Sequence, residues 1–317
     1  MIRKGEGSID FVKNVLKRVI GSIPVLIGVI LMIFIMLRII PGDPVTTMLG
    51  EHVNEQVIAK ITAEMGLDQP LYVQFFKYIA NALRGDFGTS YSYNRSVTGL
   101  LLESFPNTVR LAVMAAVFAW IIGISAGIIA AVHQNKLLDH LFMGTALMGV
   151  SMPVFMTSLF LQYLLAYKFK VFPLSGMNGF QYFILPAIAL GWNSAGSIAR
   201  MTRSNLLEVM QADYISTARA KGRGNVGTIV FHALRNSMLP VVTMMALQLS
   251  SMLSGAVITE SVFGIAGIGQ LAVNAIGNRD MPLLQGTVVF TTFIVIVGNL
   301  IADSLYSVLD PRIRKEA

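Results

Sequence analysis

The chain has no cysteine, which excludes disulfides, thiol catalysis and cysteine metal sites. It is short of charge. Only 13% of its 317 residues are Asp, Glu, Lys or Arg, against about 25% in an ordinary soluble domain. No glycine-rich loop ends in Gly-Lys-Ser/Thr, so ATP binding through a P-loop is excluded. No His-Glu-x-x-His occurs, and His52, His133, His140 and His232 are scattered, so no metal cluster is expected. No serine nucleophile with a placed base is visible, which argues against an intramembrane protease.

What the chain holds instead is apolar sequence, 54% of its residues. Six stretches free of charge are long enough to cross a bilayer, which takes about 20 apolar residues in a helix. They are 19–37, 111–132, 141–167, 171–199, 236–259 and 281–302. The alternation that marks a closed β-barrel is absent. The expected fold class is therefore an all-α membrane protein of six transmembrane helices, with an external helical insertion between spans 1 and 2.

Basic residues set the orientation. Six spans place both termini on one side, with Lys136, Arg200, Arg203, Arg219, Lys221, Arg223 and Arg235 as well as the basic clusters at the two ends. The other side holds fewer, among them Lys60, Lys77, Arg84 and Arg95. The richer side is expected to be cytoplasmic. The net charge of +7 is this asymmetry. A nucleic-acid partner is excluded because the basic residues are split among separate segments.

Residues 1–18 read as a cytoplasmic amphipathic lead-in and 19–317 as a single transmembrane domain. Within it, 42–106 is external and 200–236 cytoplasmic. The external part should hold one short helix between Asn54 and Gly66 and another between Pro70 and Gly85. Gly123 and Gly127 form a small-xxx-small pair for close helix approach. Pro153 should kink the third span.

The cytoplasmic loop is the longest polar interruption after the first hundred residues. Asp213 is an expected N-cap, Lys221 complements the last turn, and Gly222 suits a left-handed stop. A second helix, capped by Asn225, carries Val226, Ile229, Val230, Ala233 and Leu234 as one apolar stripe. Tyr214, Ala218 and Lys221 are left to face the cytoplasm. The residues alone fit either a docking surface or an interfacial helix with no partner.

Polar residues inside spans are a second group of candidates. Gln248, Ser251 and Ser254 lie on the fifth span, Asn193, Ser194 and Ser197 on the fourth, and Asn299 and Asp303 on the sixth. Such side chains either join helices or line a path. A carboxylate at Asp303 needs a partner; Arg200 or Arg203 is the expected cation, and contact with a substrate's amino group is the other reading.

Several strings resemble one family. Leu37-Arg38-Ile-Ile-Pro-Gly-Asp-Pro44, Gly66-Leu-Asp-Gln-Pro-Leu71 and Arg84-Gly-Asp-Phe-Gly-Thr-Ser90 are its opening. Leu185-Pro-Ala-Ile-Ala-Leu-Gly191, Asp213-Tyr-Ile-Ser-Thr-Ala-Arg-Ala-Lys-Gly222, His232-Ala-Leu-Arg-Asn236 and Gly255-Ala-Val-Ile-Thr-Glu-Ser-Val-Phe263 follow in order. Each alone is weak; together, on one topology, they are specific. The chain resembles the permease subunits of binding-protein-dependent ABC importers, in the dipeptide, oligopeptide and nickel branch. It departs at Ala266-Gly-Ile-Gly269, where proline is common at the first position.

The resemblance implies an ABC-importer permease fold and ATP-driven uptake of short peptides, with nickel or a metal chelate as the alternative cargo. It implies a second homologous permease, two cytosolic ATPase subunits that bind ATP and Mg, and an external substrate-binding protein. The chain itself would carry no cofactor and no catalytic residue. Asp213, Tyr214, Ala218, Arg219, Lys221 and Gly222 would form the ATPase-coupling loop. An ion-driven secondary transporter would need no partner ATPase, and a membrane scaffold or sensor would move no substrate.

Overall fold

A computed structural model describes residues 6–39, 62, 68–221 and 224–309. It is helical almost throughout. The helices are α1 Glu6–Ile39, α2 Leu71–Leu83, α3 Val97–Val132, α4 Leu137–Ser151, α5 Val154–Leu161, α6 Gln181–Met210, α7 Asp213–Ala220, α8 Asn225–Thr228, α9 Leu234–Leu253, α10 Val257–Phe263, α11 Ile268–Gly277 and α12 Met281–Leu309. Two π-helical segments, Gln162–Lys168 and Ile229–Ala233, extend α5 and join α8 to α9.

Four helices are long and apolar enough to cross a membrane, or six if each of two bent pairs is one span. The set differs from the six stretches expected. The fourth stretch is helical from Gln181, just before Leu185-Pro186, and composition alone does not count this helix, α6, as a span. It is buried among its neighbours, including Leu185, Ala189, Ile198 and Leu206, so it needs no apolar outer surface. The third span does more than kink. At Met152-Pro153 it bends by 109° between α4 and α5. The pair α10 and α11 was not foreseen.

The residues pack as two compact units: 1–108 with 266–296, and 109–265 with 297–317. In the first, α2 lies on α1 through Phe75 and Phe34, whose rings meet edge-on at 5.2 Å. Arg38 stacks over Phe34 and donates to Gln74 Oε1 at 2.7 Å. Pro70 precedes α2 and Gly85 turns out of it at φ +79°, as expected from the sequence. Leu71 and Leu83 of its apolar face stay exposed. The helix expected between Asn54 and Gly66 lies outside the described residues.

The string 84–90 owes its composition to a buckle. Asp86 Oδ1 accepts from Gly88 N, and Thr98 donates to Gly85 O. Ser90 Oγ and Ser92 N then donate to Asp280, which is 1% exposed. Asp280 Oδ1 also accepts from Leu283 N, so it caps α12. Nearby, Asn107 and Thr108 hold Ala266 O and Ile268 N at 3.0 and 2.9 Å. These bonds pin the segment that departs from the family pattern.

The second unit is built on α6. Gly123 and Gly127 press against it: a Cβ on Gly127 would lie 2.6 Å from Ala199 O, and one on Gly123 2.8 Å from Ala195 O. Gly191 and Gly196 on α6 return the contact to Ala115 of α3 and Ala146 of α4. Small residues let backbones meet where lipid offers no hydrophobic push. Leu111, Ala115, Phe183, Leu185, Phe263 and Ile265 belong to one buried cluster.

Candidate functional site

The loop that follows α6 is anchored by one residue. Ile215, in the first turn of α7, is fully buried in a cluster with Ala131, Leu206 and Ala233. The helix begins at Asp213 itself. Ile215 N donates to Ala212 O, so Ala212 occupies the expected cap position. Asp213 instead puts its charge in the first turn, where the dipole favours it. Tyr214 is 46% exposed, and its hydroxyl accepts from Asn236 Nδ2 at 3.2 Å. Asn236 also donates to His232 O. Lys221 is exposed and Ala218 half-buried. Arg219 has helical backbone, while Gly222 lies outside the described residues.

The second half of the loop differs from the sequence expectation. α8 runs through the π-helical turn 229–233 directly into α9, so it is one end of a long apolar helix and not a separate helix. A π turn adds a residue per turn and breaks the expected stripe. Thr228 and Ala233 are buried, while Val230 and Phe231 are exposed.

The polar residues of the spans divide by role. Ser250 is buried against Gly298 of α12. Gln248 is half-buried and Ser251 exposed. Gln248 Oε1 is buried without a hydrogen-bond partner. Ser254 Oγ donates to Ser251 O at 2.7 Å. Asn299 is exposed and Asp303 half-buried. Asn193 is occupied structurally: its amide donates to Gly149 O and Val150 O at 3.3 and 3.2 Å. Those carbonyls lose helical partners at the Pro153 break, and a spanning backbone must be satisfied internally.

Arg203 has a different partner from the one expected. Its Nε and Nη2 donate to the two oxygens of Asp139, at 2.6 and 2.7 Å. Asn135 N adds a third bond to that carboxylate at 2.9 Å. Asp139 is 2% exposed. Arg200 is exposed. Asp139 and Asp280 were both missed by sequence reasoning. The available signal was an acid at the first turn of a helix: Lys136-Leu-Leu-Asp139 and Asp280-Met-Pro282. Among the described residues, no three acids or histidines are grouped to hold a metal.

Residues 123–315 match the family described as binding-protein-dependent transport system inner membrane component, and residues 11–112 match its N-terminal counterpart. The chain belongs to this family. It is an ABC-importer permease of the peptide and nickel type, and ATP is hydrolysed in separate subunits. The permease is 39% identical over 300 residues to the glutathione transport system permease protein GsiC of Escherichia coli K12. The match covers 95% of this chain and 98% of GsiC. The Shigella flexneri protein of the same name is 40% identical over the same span. The fold is also that of an inward-facing structure of the MetNI methionine ABC transporter, with a TM-score of 0.57 at 16% identity. That likeness covers 67% of this permease and 96% of the MetNI chain. A binding-protein-dependent permease works with an ATPase and a substrate-binding protein.

Proposed function

We propose that this permease forms half of the pathway for ATP-driven uptake of short peptides of about the size of glutathione. The observation that carries the reading is its 39–40% identity, over 95% of its length, to permeases named for glutathione transport. The other half is a second homologous permease, and cargo arrives from an external binding protein. The chain lies in the inner (plasma) membrane with both termini cytoplasmic, as its basic residues favour.

Asp213, Tyr214, Ala218, Arg219, Lys221 and Gly222 dock an ATPase that holds ATP and Mg. The exposure of Tyr214 and Lys221, on a helix secured by Ile215, supports that role. Gln248, Ser251, Ser254, Asn299, Asp303 and Arg200 are candidates for the path or its gate. Ser251, Asn299 and Arg200 are exposed, and polar side chains exposed on a span are costly against lipid and better placed toward a hydrated path.

The test is uptake of radiolabelled glutathione into proteoliposomes holding this chain and the products of its neighbouring genes. The reading expects ATP-dependent uptake that requires the binding protein. It also expects Gly222→Asp to insert and assemble while uptake is lost and hydrolysis persists. Nickel uptake without glutathione uptake would move the cargo to a metal. Uptake driven by an ion gradient without ATPase would overturn the reading.

A further inference from the structure

The seam between α4 and α6 is held at both ends, and between them the helices touch closely at two glycines beside a cavity of about 190 Å³ lined by Phe142, Thr145, Trp192 and Ala199. At one end Asn193 bonds the carbonyls of Gly149 and Val150. In the middle, Gly149 and Gly196 leave no room for a Cβ against Trp192 and Ala146 O respectively. At the other end Arg203 grips both oxygens of Asp139. A two-point bond between planar groups sets rotation as well as distance. One turn beyond Arg203, Leu206 is fully buried in the cluster that holds Ile215. A push on α7 therefore meets α6 one turn from the point where the Asp139–Arg203 fork ties it to α4. The far end of the same α4 is the 109° break.

We propose that Asp139 and Arg203 are positioning residues for transport coupling. They lock α4 to α6, so that movement of the cytoplasmic loop travels as one lever to the Pro153 break. The proposal rests on the coupling role given above to α7. Neither residue touches cargo or ATP; their effect is on the work obtained per ATP. A pair with a merely structural role would change stability and assembly and leave that ratio alone.

The experiment uses the full complex in proteoliposomes and reads glutathione taken up per ATP hydrolysed, with assembly checked by gel filtration. Asp139→Asn and Arg203→Lys are compared with the reversed pair, Asp139→Arg with Arg203→Asp. Lysine keeps the charge and loses the fork. We expect the ratio to fall about fivefold or more in Asp139→Asn, as a coupling free energy of ordinary size would give. A smaller fall is expected in Arg203→Lys, with at least partial recovery in the reversed pair. Assembled single variants with an unchanged ratio would overturn the lever, as would a loss that only tracks loss of assembly. Gly222→Asp serves as the control. If it keeps normal uptake, the coupling role of the loop fails and the lever fails with it; if it uncouples while the pair variants do not, only the lever fails.

Discussion

Asp280 in the first unit and Asp139 in the second are both sealed from solvent, yet they are satisfied by opposite means. Asp280 is met by neutral donors: a serine hydroxyl and the backbone amides of Ser92 and Leu283. Asp139 is met by a full cation from another helix, with one backbone amide beside it. An acid held by dipoles at a helix start is a cap, and it pins a loop. An acid held by a guanidinium fork is a clamp, and it sets how two helices lie against each other. A buried carboxylate alone does not say which job it does; the partner does.

The strongest way to break the contrast is Arg203→Ala. Removing Arg203 leaves the buried Asp139 carboxylate uncompensated and costs about 3 kcal/mol, the low end for a buried pair, because Arg203 keeps 26% of its side chain exposed. A fall in the melting temperature of the purified chain in detergent would report it. Replacing both residues with apolar ones of similar volume should cost less than Arg203→Ala alone. Asp280→Ala comes next. It leaves Leu283 N and Ser92 N without their acceptor, at about 1–3 kcal/mol. Hydrogen exchange should rise in 88–93 and in the first turn of α12. Asp280→Asn should do less damage, because an amide oxygen still accepts.

Tyr91 sharpens the comparison from outside the spans. Burial, and then the charge of Asp280, push its phenol up to about 12 from 10.0, with Arg38 acting against them. A raised pKa means that the folded state holds the proton longer. The stability from this group is therefore whole below pH 10 and is lost as pH rises through about 12. Absorbance at 295 nm should show, beside Tyr78, which burial pushes higher still, a late-titrating tyrosine that Tyr91→Phe removes. Asp280→Asn should move it down while leaving the effect of burial. The smallest effect belongs to Arg95 and Glu103, a 2.9 Å pair whose side chains are 57% and 64% exposed. Breaking it should cost about 0–1 kcal/mol, no resolvable shift in the same melt.

Much of the fold is written in local sequence. The first, second, fifth and sixth apolar stretches lie on helices long and apolar enough to cross a membrane, because a charge-free run of that length favours a membrane. Pro70 and Gly85 bracket α2, and the Gly123–Gly127 pair faces a helix, because these depend on backbone geometry carried by the residues themselves. The fourth helix runs on past its apolar stretch to Met210, because burial inside a bundle permits Arg203 where hydropathy alone would not. The apolar stripe of 226–234 failed because a π turn changes the period on which such a stripe depends. Of the candidate site, the string 213–222 stood out in the sequence, but Ile215, which anchors its helix, was not singled out. Arg203 was noticed and given the wrong partner.

Residue types and their order determined that this chain lives in a membrane, contains no P-loop motif, and carries a polar loop between two apolar segments. Those properties follow from transfer energies and backbone preferences, which each segment has on its own. Only the tertiary structure decided that Asp139 answers Arg203, that Asp280 buckles 84–92 to α12, and that Asn193 repairs the broken third span. Each of these joins groups far apart in the chain. Their pairing is set by which carbonyl or carboxylate would otherwise be buried unsatisfied, and that is settled only when the helices pack.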